Sequence, residues 1–166
     1  MLRASFDQQL AQIAPFFIYL LLFIAMYVEN GIMLGFFLPG DSLLFSAGLV
    51  ASSHKSINIG LLCLVVFLGA FIGDQTGYVI GRKYGRPYLD RKSSPRLDRY
   101  IARAERFYEQ SGWWAVVAAR YFPWIRTFVP PIAGAAKMPY YKFLTANAVG
   151  ALLWSVLITL AGYYSA

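Results

Sequence analysis

The sequence predicts an all-α integral membrane protein. It is expected to be an inverted repeat of a re-entrant helical hairpin plus a transmembrane helix, with a cytoplasmic amphipathic helix between the halves. Three observations carry this. Stretches 9–28, 56–73 and 143–166 hold no charged residue, and about 20 mainly apolar residues cross a bilayer as a helix. Apolar residues make up 58% of the 166-residue chain and charged residues 14%, against about 45–50% and about 25% in soluble domains. Two more apolar stretches, 31–50 and 113–136, are broken in the middle by proline and glycine.

The elements follow in chain order. The first span, 9–28, is opened by Pro15, because a helix's first turn tolerates a missing N–H, and is interrupted by Glu29 and Asn30. The flank holds only Arg3, offset by Asp7, with no small-residue cleavage site, so this span reads as a retained helix and not as a signal peptide. Residues 31–50 contain the turn signal Pro39-Gly40, with Asp41 or Ser42 as N-cap of the following helix. Two half-length helices about such a break predict a re-entrant hairpin. Broken backbone at membrane depth survives only where protein or a watery cavity covers it.

A polar loop with His54 and Lys55 leads into the second span, 57–84. Within it Gly69, Gly73, Gly77, Gly81 and Gly85 recur at every fourth position, on one helix face. Such spacing lets another helix backbone approach closely, within the chain or in a homo-oligomer. Cys63, the only cysteine, sits in this apolar run and reads as a packing residue.

Nine basic residues between Arg82 and Glu109 face four acids, leaving +5 of the chain's net +7 in one segment. A basic cluster between apolar spans is the mark of a cytoplasmic loop, in contact with anionic lipid rather than nucleic acid. Within it, 94–111 begins with Ser94-Pro95 and repeats apolar residues at helical spacing, predicting an amphipathic helix at the cytoplasmic surface. Residues 113–136 form the second expected hairpin, broken at Pro123 and at Pro130-Pro131; the last span is 141–164.

With the basic loop inside, the first hairpin enters from outside and the second from inside. Each half is a hairpin followed by a span, in opposite orientations. Pro39, Ala47 and Gly48 echo faintly in Pro130-Pro131, Ala133 and Gly134. Inverted repeats with broken helices near the midplane are a transporter design.

Five charges are embedded in apolar sequence: Glu29, Asp41, Asp74, Arg120 and Arg126. Each costs about 2.5–3.5 kcal/mol at the centre of a membrane helix on insertion scales. Internal salt bridges that fix hairpins to spans would account for them. So would a polar site for an anionic substrate. Arginine's planar fork suits bidentate phosphate binding, and Arg120 and Arg126 flank one bend. The helix after Pro39-Gly40 would add its N-terminal N–H groups. Three acids and two arginines leave one negative charge, which a single proton neutralises. Asp74 has Arg82 or a hairpin arginine as possible partners.

Several segments together resemble the DedA family, also called the SNARE-associated or VTT-domain family. They are Glu29 with Gly35-Phe-Phe-Leu-Pro-Gly-Asp-Ser42, GDQTGYVIGRKYGR at 73–86, RYFPWIRTFVPPIAGAAKM at 120–138, and FLTANAVGALLW at 143–154. The resemblance implies a bacterial inner-membrane transporter that recycles a polyprenyl phosphate carrier lipid. Its essential acids correspond to Glu29 and Asp41, and its essential arginines to Arg120 and Arg126.

The expected function is therefore a flippase returning undecaprenyl phosphate, or a similar polyprenyl phosphate, across the cytoplasmic membrane with proton coupling. The alternatives are a general phospholipid scramblase and a proton-coupled ion or drug transporter. An enzyme is not expected. The single histidine, His54, lies in a polar loop, and no metal-ligand cluster or Gly-rich phosphate loop occurs. Neither cofactor nor metal is expected, and the partners are the anionic lipid substrate and membrane lipids.

Overall fold

The computed structural model describes residues 2–32 and 40–165, with side chains from Ile13 onward except Trp124. The described residues are helical, with no strand among them. In order they form α1 (Leu2–Gly31), α2 (Gly40–Ser53), α3 (Ile59–Ile80), a single π-helical turn (Gly81–Gly85) and α4 (Arg86–Arg91). There follow α5 (Pro95–Gln110), α6 (Gly112–Ala119), α7 (Pro123–Arg126), α8 (Val129–Ala135) and α9 (Tyr140–Tyr164). Three rods, Ile13–Gly31, Ile59–Arg91 and Tyr140–Tyr164, are long and apolar enough to cross a membrane. The protein is an all-α membrane protein.

Local signals explain most boundaries. Asn58 caps α3 by accepting from Leu61 N–H at 3.1 Å, and Ser94 caps α5 by accepting from Leu97 N–H at 3.2 Å. Other boundaries depart from the sequence reading. Helix α1 passes straight through Pro15 and continues through Glu29 and Asn30 to Gly31. The Asn30 amide stays inside the helix by donating to the Met26 carbonyl at 2.7 Å. The second span does not stop at 84, because the π turn carries the rod on to Arg91. Helix α2 starts at Gly40, which places Asp41 inside its first turn and not at the cap. Pro39 and the first arm of the expected hairpin, residues 33–39, lie outside the described residues.

The glycine ladder packs inside the chain and serves two different neighbours. Gly69 and Gly73 lie against α1: a Cβ there would come 2.8 Å from the Phe23 and Tyr27 carbonyls. Further along, Gly77 approaches Pro130, Gly81 lies on the Pro131 carbonyl, and Gly85 meets the Ala135 side chain. A second crossing has the same construction. Gly48 of α2 lies on the Thr159 backbone of α9, while Gly162 of α9 lies on the Phe45 backbone of α2. Its counterpart pairs Gly134 of α8 with the Tyr78 backbone of α3, as Gly81 of the π turn pairs with Pro131 of α8. Each half's short helix thus docks on the long helix of the other half. Close backbone approach of this kind is what small residues permit in membrane helices.

Helix α5 turns Leu97, Ile101, Ala104 and buried Tyr108 inward and leaves Arg96, Arg99, Tyr100, Arg103 and Phe107 exposed. It is tied down by the Arg86–Glu105 ion pair and by Lys142, which donates to the Glu109 carbonyl at 3.1 Å. Tyr84, Tyr88, Trp114, Tyr140 and Tyr141 are exposed, as a belt at the membrane–water boundary requires.

Candidate functional site

The five embedded charges are all paired, and they fall into two clusters. In the first, Arg120, just past the end of α6, donates to Asp74 of α3. The same guanidinium nitrogen donates to Asn147 Oδ1 of α9 at 2.6 Å, and Asn147 Nδ2 donates to the Phe71 carbonyl at 3.2 Å. Arg120, Asp74 and Asn147 are all buried. This cluster is electrically neutral and sealed.

In the second cluster Arg126, at the end of α7, uses both terminal nitrogens. Nη2 donates to Glu29 of α1, and Nη1 donates to Asp41 of α2 at 2.7 Å. Glu29 and Arg126 are buried, whereas the Asp41 side chain is 37% exposed. Two carboxylates share one guanidinium, so the excess negative charge inferred from composition resides here. Gly40 lies against the Glu29 carboxylate, and a Cβ there would force that head group to shift. The N-terminal end of α2, with its positive dipole end, therefore already faces a carboxylate.

Trp154 of α9 joins the clusters. Its ring centroid lies 4.5 Å from Arg126 Cζ and 5.9 Å from Arg120 Cζ. Gly150, between Asn147 and Trp154 on the same face, packs beside the Arg120 stem, where a Cβ would make an ordinary contact at 3.5 Å with Cγ and Cδ. Helix α9 thus contributes three site positions that the sequence reading did not assign. The available signal was weak: one asparagine, one glycine and one tryptophan at helical spacing in a charge-free span.

Both arginines, with Asp74, Asn147 and Pro130, line a cavity of about 10 Å³. That is the lower limit for one water molecule, so a larger anion enters only if side chains move. Three buried polar atoms of the site, Glu29 Oε2, Arg126 Nε and Arg120 Nη1, have no hydrogen-bond partner among the described residues. Such atoms are rare in folded proteins and mark unused binding capacity. Beside Asp41 an open depression of about 330 Å³ is lined by Ser42, Phe45, Ser46 and Ile158. It leads from the surface to the exposed edge of the Arg126 cluster. Another, of about 350 Å³, lies between Arg86, Glu105, Glu109 and residues 136–139. Among the described residues no group of three or more His, Cys, Asp or Glu could hold a metal ion.

The expected hairpin breaks have distinct places. Pro123 opens α7, Pro130 lines the cavity, and Pro131 presents its carbonyl to Gly81.

Residues 38–164 match the VTT domain. The chain is 38% identical over 149 residues to Protein DedA of Escherichia coli K12, covering 89% of this chain and 68% of that protein. It is 42% identical over 144 residues to an uncharacterized membrane protein of Mycobacterium tuberculosis, covering 85% and 63% respectively. A third relative, an uncharacterized membrane protein of Mycobacterium bovis, is 36% identical over 162 residues, covering 94% and 72%. No solved structure matches the chain.

Proposed function

Because the chain belongs to the VTT-domain family, to which its likeness to DedA also points, we propose that it moves a lipid phosphate across the bacterial cytoplasmic membrane. The substrate is undecaprenyl phosphate or a similar polyprenyl phosphate, and transport is driven by proton entry. The observation that carries this reading is the sharing of buried Arg126 between two carboxylates, one of them half-exposed. A guanidinium fork that donates to two anionic oxygen acceptors is chemically poised to receive a phosphoryl group in their place.

The Glu29 carboxylate lies against both Arg126 and the N-terminal end of α2, the two groups best suited to a phosphate. It competes with the head group while ionised. Protonation of Glu29 or Asp41 neutralises the cluster and weakens its hold on Arg126. The head group then binds Arg126, and Arg120 supplies a second cation at the cavity wall. The lipid tail stays in the bilayer. Movement of the short helices against the long ones carries the site from one side to the other. Loss of the proton restores the carboxylate pair and expels the phosphate.

The test is the amount of polyprenyl phosphate in the outer leaflet of cells carrying Arg126→Ala or Glu29→Ala. Accumulation in both is expected. Normal recycling in both variants would contradict the assignment.

A further inference from the structure

From Phe143 onward helix α9 carries no charge, yet one of its residues lies against the key cation. Trp154 is almost wholly buried and packs with Met26, Leu44, Val66 and Ala70, from α1, α2 and α3. Its ring lies 4.5 Å from Arg126 Cζ, within the roughly 6 Å range of a cation–π contact. Trp is the strongest of the three aromatic partners, and desolvation strengthens the attraction.

The partners of Arg126 differ in kind. Glu29 and Asp41 use its N–H groups, and an incoming phosphoryl group needs the same N–H groups. A ring face uses none of them. Of these contacts, only the one to Trp154 can persist while the carboxylates leave and the phosphate arrives. Among the described residues, the polar partners of Arg126 are the groups it must release. Arg120 has no such need, because Asp74 and Asn147 hold it from a sealed pocket.

We propose that Trp154 is a positioning residue of the phosphate site: it retains the Arg126 guanidinium in place while that guanidinium exchanges carboxylates for a phosphoryl group. This rests on the phosphate-lipid reading above. It adds that the aromatic face, not general core packing, is what the site requires of residue 154.

Two measurements separate the inference from the reading beneath it. The first is binding of a short-chain polyprenyl phosphate to the purified full chain in detergent, with the matching polyprenyl alcohol as control. Trp154→Leu is expected to weaken phosphate binding roughly tenfold, and Trp154→Phe only about threefold, because Phe keeps a weaker ring face. Equal affinity of the wild type and both variants would overturn the proposal. The second is a double-mutant cycle of Trp154→Leu with Arg126→Gln, read by thermal unfolding without ligand. The two changes are expected to be non-additive, since a direct contact is lost only once. Strict additivity would overturn the proposal by itself. If the wild type does not prefer the phosphate to the alcohol, the phosphate-lipid reading fails, and the cycle alone then decides whether Trp154 holds Arg126.

Discussion

Arg120 and Arg126 stand six positions apart on the same broken segment, yet they are held in opposite ways. Arg120 meets one acid, Asp74, whose side chain is 5% exposed, and donates to Asn147 as well. Arg126 meets two acids, and the outer one is 37% exposed and borders an open depression. The first arrangement has one stable charge state. The second has one carboxylate too many and a route to it. A buried charge is tolerated only when paired, so the sealed pair anchors the second hairpin to α3. The shared arginine is the one that can change partners. On the function proposed above, Arg126 is the arginine that exchanges partners, while Arg120 keeps Asp74 and lends its charge at the cavity wall.

The largest expected effect breaks the sealed pair. Arg120→Ala leaves Asp74 buried and alone, and should destabilise the protein by about 3–5 kcal/mol, measured by chemical unfolding in detergent. A loss below about 1 kcal/mol would mean that the pair anchors nothing.

Next comes the crossing that fixes this hairpin. Gly81→Ala drives a Cβ into the Pro131 backbone, and overpacking of this kind costs about 1–3 kcal/mol. Gly85 belongs to the same ladder, but its Cβ would meet only the Ala135 methyl at an ordinary 3.6 Å. Gly85→Ala should therefore be neutral, or gain up to about 1 kcal/mol from helix propensity. Equal losses at both positions, read from melting curves, would contradict the packing described.

The smallest stability effect should come from the open cluster. Asp41→Asn removes a part-exposed ion pair, worth about 1 kcal/mol or less after solvent screening. Its effect on transport should be much larger, because one of the two competing carboxylates is gone. Transport should depend less on pH in this variant than in the wild type, as read from rates across an acid-to-neutral series. An unchanged pH profile would remove Asp41 from the exchange.

These residues also show how far a sequence of this kind can be read. Charges in apolar stretches stand out because membrane insertion penalises them, so Glu29, Asp41, Asp74, Arg120 and Arg126 were visible without coordinates. Their pairing was not. Asp74 had several possible partners in sequence, and only the docking of α6 on α9 and of α8 on α3 selects Arg120. The prolines at 123 and 130–131 announced interrupted helices, since each removes a backbone donor. Continuity through Pro15 and through the π turn left no such mark. Asn147 and Trp154 stayed hidden because polar and aromatic residues in a charge-free span look like ordinary packing. Their role emerges only where α9 crosses both arginines.

The account is tested most directly in proteoliposomes of defined composition under an imposed proton gradient. Two probes share one polyprenyl tail, the first ending in phosphate and the second in a hydroxyl. The wild-type protein should carry the phosphate across the bilayer and leave the alcohol behind, and Arg126→Gln should carry neither. Equal movement of both probes by the wild type, or undiminished phosphate transport by Arg126→Gln, would contradict phosphate recognition by this arginine.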